Sequence, residues 1–444
     1  VHKVTYRSIR PTGADVKVLV YPHARETGGA QLNAIEIAAA TRDRGHEVLV
    51  VSRDGPLADM ARRLGLAHAL LDQRGRHRPS PRAAAQLTRL ARQHRVDLVH
   101  GYEWPPAVEL CTGPRLRLRL PVVCTLNSMP VAPFLPRSVP LVVGTDESRL
   151  RAVQAGFGLV TLVQAPVDVR ADTPEADPGA FRSGLGVDAF VPLVVAVGQS
   201  GPGQQTEGLL AACDAVGELA SWGTPVQLAV VGSGPSRLLA ERAADLANAR
   251  AGRRAVIVAG PLDDLRPAYA AADVILGMGE QALRGLAFAK PLVVQGERGF
   301  WELLTPDTAP QLIRQGWCGR GIEADGRAAG TIRLTSILRE LLDQPEARIR
   351  LGRYSRSLVV ERYSLERAAA AQEEVYAEAI QPASRPSVFD LARDAARTGS
   401  GVLRHQVVRR WQRWRGITPF DDLNVTPGAW GGPATASQLP GWPS

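Results

Sequence analysis

Lysine is nearly missing from this chain. Only Lys3, Lys17 and Lys290 stand among its 53 basic residues, so almost every cation is an arginine, a bias that fits a GC-rich genome. Long apolar runs are missing too. No stretch of about 18 apolar residues occurs, so no transmembrane helix is expected. The opening residues 1–15 lack an apolar segment, so no signal peptide is expected. Cysteine is scarce and scattered: Cys111, Cys124, Cys213 and Cys318 have no metal-ligand spacing and read as buried thiols of a reducing compartment. Zinc-finger spacing and basic strands interleaved with aromatics are both absent, so nucleic acid is not an expected partner. The net charge of +9 nevertheless favours anionic partners, either nucleotide phosphates or an anionic lipid surface.

What is present is a globular chain of 444 residues, 45% apolar, long enough for two or three domains. Short apolar runs at 16–21 (VKVLVY), 46–52 (HEVLVVS), 96–100 (VDLVH), 121–126 (PVVCTL) and 141–144 alternate with helical patterns. The run 160–168 (VTLVQAPVD) reads as a further strand. The alternation repeats at 192–197, 226–231, 255–259 and 274–276, each run followed by glycine or Gly-Pro. Strands alternating with helices predict parallel sheets built from βαβ units, with ligands at the carboxyl ends of the strands. The boundaries expected are an arm at 1–15, a first domain at 16–172 and a second at 173–380 that includes the closing helices. A tail follows at 381–444, with its end, from about 418, rich in Gly and Pro and expected to be disordered.

One stretch organises the second half. Residues 273–294 read DVILGMGEQALRGLAFAKPLVV: a strand, a break at Gly277-Met278-Gly279, a helix from Glu280, then Pro291 and another strand. A glycine turn that opens a helix presents free N–H groups to anions or sugar hydroxyls. The stretch resembles the C-terminal signature of family 4 glycosyltransferases of the GT-B fold, through Gly277-Met278-Gly279, Leu286-Ala287 and Lys290-Pro291. Both glutamates of that signature are replaced, by Leu276 and Arg284. The resemblance extends to the opening strand, Gly28-Gly29, helix and Gly45-His46-Glu47-Val48, and to the closing Arg-Tyr-Ser-Leu-Glu at 362–366. It covers 16–380 and implies an α/β GT-B fold, two Rossmann-like parallel-sheet domains facing a central cleft.

The resemblance also implies where a nucleotide-sugar donor binds: Gly28, Gly29, Gly198, Gln199, Gln205, Gly232, Gly234, Pro261, Gly277, Met278, Gly279, Arg284 and Glu302. Gln199 and Gln205 stand where the family carries Arg and Lys against the diphosphate, and glutamine brings no charge there. Asn127 takes the place of a family histidine near the reaction centre. Glu103, in the segment 101–106 (GYEWPP), reads as a loop residue, either solvated or orienting an acceptor hydroxyl. Glu280 is the one acid at 277–289. With Asn127 and Glu103 it is the candidate catalytic set. Arg284 reads either as a cation for the diphosphate or as an i,i+4 partner of Glu280. No Asp-x-Asp pair stands at a strand end, and neither metal nor cofactor is expected.

The implied activity is retaining transfer of a sugar from a nucleotide-sugar to a hydroxyl acceptor in the cytoplasm. The alternative is a non-catalytic relative that binds sugar or nucleotide or supports an active transferase. A sugar-nucleotide epimerase of the same fold is a third class, which the closing segment disfavours. In the tail, Leu403, Val407, Trp411 and Trp414 share one side of a helix among Arg404, Arg409, Arg410, Arg413 and Arg415. That stripe either rests peripherally on an anionic membrane or docks on the protein body.

Overall fold

The structure, a computed structural model, describes residues 15–22, 29–72, 79–127, 130–198, 204–232, 237–262, 264–322, 326–382 and 387–415. The expected arm at 1–14 and the tail beyond 415 lie outside them. The chain divides into two compact units, 1–164 with 368–444, and 165–367.

The first unit holds seven parallel strands: β1 (Lys17–Tyr21), β2 (Glu47–Ser52), β3 (Ala67–Leu70), β4 (Leu98–Tyr102), β5 (Val122–Leu126), β6 (Leu141–Val143) and β7 (Val160–Leu162). Their order is β3-β2-β1-β4-β5-β6-β7. β1, β4 and β5 are central and covered on both faces, which is why they read as continuous apolar runs rather than alternating ones. Local chemistry sets the crossover helices. Ser80 accepts from the Ala83 N–H and Pro81 takes the first helical position, starting the Pro81–Gln93 helix; Thr145 likewise caps Asp146–Gln154.

The second unit is built the same way from β8 (Leu193–Val197), β9 (Gln227–Val231), β10 (Val256–Gly260), β11 (Val274–Gly277), β12 (Leu292–Glu297), β13 (Trp301–Leu303) and β14 (Gly319–Arg320). Their order is β10-β9-β8-β11-β12-β13, with β13 antiparallel to β12 and β14 paired to β12. Each unit is thus an α/β fold around a mostly parallel sheet, as the alternation predicts.

Several expectations change. The break between units falls at 164/165, not at 172/173. The run expected as one strand at 160–168 stops at Leu162, and Val167 instead bridges Ser364 within the second unit. The segment 101–106 is not a loop: β4 continues to Tyr102 and a helix starts at Trp104. The closing helix Leu365–Ile380, expected with the second domain, belongs from Ala368 onward to the first unit. There Arg44 and His46 both hold Glu373, at 2.8 and 3.1 Å. His100 hydrogen-bonds Tyr376 at 2.7 Å.

The tail helix Val388–Trp414 also docks on the first unit. Asp394 pairs with Arg115 at 3.3 Å, the Thr398 hydroxyl donates to the Phe134 carbonyl at 2.9 Å, and Val402 enters the core. The His405 ring packs edge-on to Trp104, 5.6 Å between centroids. Docking uses this face and leaves the other bare: Leu403 is 64%, Val407 66%, Trp411 47% and Trp414 81% exposed. Among the described residues no helix is long and apolar enough to cross a membrane.

Candidate active site

In the second unit the glycine turns gather at the carboxyl edge of the sheet. Gly198 follows β8 and donates to the Val231 carbonyl at 3.1 Å, while Gly232 follows β9 and donates to the Gly260 carbonyl at 2.9 Å. Gly232 has φ 151°, and a Cβ there would lie 1.7 Å from the Gly198 carbonyl oxygen. Only glycine fits. Gly198 and Gly232 therefore pack backbone to backbone. Pro261, exposed, follows β10.

β11 ends at Gly277, and Gly279 takes φ 57° as the first residue of the Gly279–Leu286 helix. Its own N–H is committed to the Trp317 carbonyl at 2.8 Å. Met278 and Glu280 flank it, both half-buried, with Glu280 in the first helical turn, where the helix dipole favours a carboxylate. Leu276, at the position of a family glutamate, is 1% exposed and packs in the core between the sheet and its helices. Arg284, at the other, donates to the buried Asp172 carboxylate at 3.2 Å. Glu302 lies in β13, opposite Val294, in an ion pair with Arg333 at 2.8 Å. Gly28, Gln199 and Gly234 lie outside the described residues. Gly29 begins the Gly29–Asp43 helix, and Gln205 lies in the first turn of Gln204–Ser221.

In the first unit the carboxyl ends of β4 and β5 bring Glu103 and Asn127 together. Glu103 is 1% exposed, so it is not the solvated loop residue that was one reading of the sequence. Its N–H donates to the Thr125 carbonyl at 2.7 Å and its carboxylate accepts from the Asn127 N–H at 3.2 Å. It holds φ 70°, a conformation costly for a non-glycine residue and one that tends to occur at functional sites. The Asn127 side-chain oxygen is buried without a hydrogen-bond partner among the described residues. Such an acceptor is costly unless a ligand donor meets it.

Three further polar residues escaped the sequence reading. Glu109 is fully buried and accepts from the Tyr21 hydroxyl and the Ser80 N–H, each at 2.7 Å, below the end of β1. Its one signal is an acid inside the apolar run Ala107-Val108-Glu109-Leu110. His100, fully buried between Tyr376 and Thr125, is pushed down to about 3 by desolvation and stays neutral. Asp172 carries no local signal at all. Burial raises the thiols of Cys213 and Cys318 to about 12. Among the described residues no group of three or more His, Cys, Asp or Glu side chains could hold a metal.

The sequence profile of Glycosyltransferase Family 4 matches residues 27–154, within the first unit. No curated protein matches the chain. Among solved structures, a glycosyltransferase from Rickettsia africae superposes with TM-score 0.63 at 15% identity, over 83% of this chain and 99% of that one. HepE from Anabaena, in complex with UDP, gives 0.62 at 18%, over 82% and 100%. Sucrose-phosphate synthase from Thermosynechococcus elongatus gives 0.60 at 16%, over 82% and 98%. The chain resembles family 4 glycosyltransferases and has their α/β fold, and the family match supports a glycosyltransferase.

Proposed function

We propose that this protein transfers a sugar from a nucleotide-sugar to a hydroxyl acceptor with retention of configuration. The observation that carries the reading is the row of glycines at the carboxyl edge of the second sheet, Gly198, Gly232 and Gly277 with Gly279, which leaves these positions of the edge without side chains beside the start of the Gly279–Leu286 helix. A diphosphate fits such an edge, because small residues let it approach the helix N-terminus, where the dipole favours negative charge. HepE, a neighbour in fold, was solved with UDP and with UDP-glucose, which makes UDP-sugars the first donors to test.

In the reaction the anomeric carbon–oxygen bond to the diphosphate breaks. The acceptor oxygen bonds the same face of that carbon, and its proton passes to the departing phosphate. Glu103 and Asn127 would orient the acceptor, and Glu280 the donor sugar. No metal or cofactor is assigned a role. The bare stripe at Leu403, Val407, Trp411 and Trp414 supports peripheral contact with an anionic membrane on the cytoplasmic side.

A second reading has its own observation. Leu276 is sealed in the core and Arg284 is tied to Asp172, so neither family glutamate position offers a carboxylate to a sugar. That favours a non-catalytic nucleotide or sugar binder. Slow donor hydrolysis without acceptor separates the two. The protein is incubated with a panel of nucleotide-sugars and released nucleoside diphosphate is quantified. Release above a buffer blank is expected, and Glu280→Gln should reduce it more than it reduces donor binding. Binding without any release would establish the non-catalytic reading instead.

A further inference from the structure

The tail helix has a direction that bears on the acceptor. Asp394 contacts Arg115, and eleven residues later His405 contacts Trp104. The helix therefore runs along 104–115 from its end back to its start. Trp104 opens that segment one residue after Glu103, at the carboxyl end of β4. Beyond His405 the same helix continues to Trp414, nine residues or about 14 Å past this edge at 1.5 Å per residue.

The bare stripe lies largely on this extension. Val407, Trp411 and Trp414 project beyond the docked part, with Leu403 at its root. Arg404, Arg409, Arg410, Arg413 and Arg415 accompany them, and residues 402–415 contain no acid. Arg415 sits over the Trp411 ring, 4.4 Å from its centroid. Tryptophan beside arginine suits the boundary between lipid tails and anionic head groups. Docking is borne by Asp394, Thr398, Val402 and His405, so it does not need the stripe. The basic, apolar extension thus stands at the edge where Glu103 and Asn127 meet.

We infer that the acceptor is a hydroxyl on a lipid head group, presented by an anionic bilayer on which Leu403, Val407, Trp411 and Trp414 rest. The inference depends on the transferase reading above and names its acceptor class. The anchor and these residues belong to the same unit and the same end of it, so a bilayer on which the stripe rests presents its head groups toward Glu103 and Asn127. The bond chemistry is that given above, with the head-group oxygen as nucleophile and the nucleoside diphosphate as leaving group.

The test compares the full chain with a variant carrying Leu403→Ser, Val407→Ser, Trp411→Ser and Trp414→Ser. All four positions are exposed, so circular dichroism and thermal melting should match. Flotation uses vesicles of phosphatidylglycerol with phosphatidylcholine, against phosphatidylcholine alone. The full chain should float with the anionic vesicles and the variant about tenfold less. The vesicles are then loaded with lipid extract from the source cells, and radiolabelled nucleotide-sugars are added. Label should enter the organic phase with the full chain and fall about tenfold in the variant, while acceptor-free donor hydrolysis stays equal in both. Label confined to water-soluble glycan, with hydrolysis intact, overturns the inference and leaves the transferase reading standing. So does equal vesicle binding by both proteins, or a dimer by light scattering that only the full chain forms without floating. Donor binding with no hydrolysis and no transfer takes down the transferase reading, and this inference with it.

Discussion

Arg284 donates to Asp172 at 3.2 Å, and Asp172 is only 5% exposed. The arginine that replaces a family glutamate is therefore bound to a partner from the segment just after the start of the second unit. Breaking a buried pair by removing one member leaves the other charge uncompensated, at a cost of about 3 kcal/mol or more. We expect Arg284→Met alone to lower stability by that order and the double change with Asp172→Leu to recover much of it. Urea unfolding of the four proteins in the cycle measures the coupling. Additive losses would mean that the pair is incidental.

Gly232 gives a sharper test of the donor edge. A methyl at this position would meet the Gly198 carbonyl oxygen at 1.7 Å while holding φ 151°. Gly232→Ala should force β8 and β9 apart at their ends, lowering stability by about 2 kcal/mol or more. It should also weaken nucleotide binding well beyond what Gly184→Ala does, since Gly184 lies in a short helix with open space around its Cβ. Calorimetry with UDP and thermal melting read the two effects separately.

His100 makes the first unit sensitive to acid. Burial holds its folded value near 3, whereas an unfolded histidine takes its proton near 6.5. Between those values the unfolded chain binds the extra proton, so stability is complete above about pH 6.5 and falls as pH drops toward 3. The slope is about 1.4 kcal/mol per unit, or roughly 2 kcal/mol between pH 7 and 5. His100→Gln keeps hydrogen-bonding capacity but cannot titrate. Denaturant midpoints at the two pH values should therefore shift more in the native protein than in the variant.

The uncharged sequence at 198–205 predicts a gain of function. Gln199→Arg with Gln205→Lys should tighten nucleoside diphosphate binding by at least about tenfold, roughly 1.4 kcal/mol. Unchanged affinity in a folded variant would show that these positions do not face the diphosphate.

The sheets were legible because buried parallel strands are continuous apolar runs, and KVLVY, VVCTL and VILG can be little else. The glycine turns were legible for a related reason, since each interrupts such a run where the chain must reverse. What could not be read depends on contacts distant in sequence. Glu103 looks like a loop residue until β4 and β5 pair and bring Asn127 over it. Arg284 and Asp172 are 112 residues apart, and neither sequence context names the other. The helix Gly326–Asp343 went unread altogether, as its apolar positions are diluted by Thr and Arg. For the tail, the helix docks through Asp394, Thr398 and Val402, a face the sequence reading had not picked out, while the stripe at Leu403, Val407, Trp411 and Trp414 stays exposed.

The return of residues 368–415 to the first unit has a consequence for how the chain is made. Arg44, His46, His100, Arg115 and Trp104 leave the ribosome well before their partners Glu373, Tyr376, Asp394 and His405, which follow at least 276 residues later. The second unit, 165–367, has its whole sequence available first. The nascent first sheet must therefore wait, with the ring of Trp104 and the side chain of His100 uncovered, until the whole second unit and the helices after it have been made. Domains usually complete folding in order of synthesis. Here the amino-terminal sheet begins first and can be sealed only after the carboxyl-terminal one is already whole.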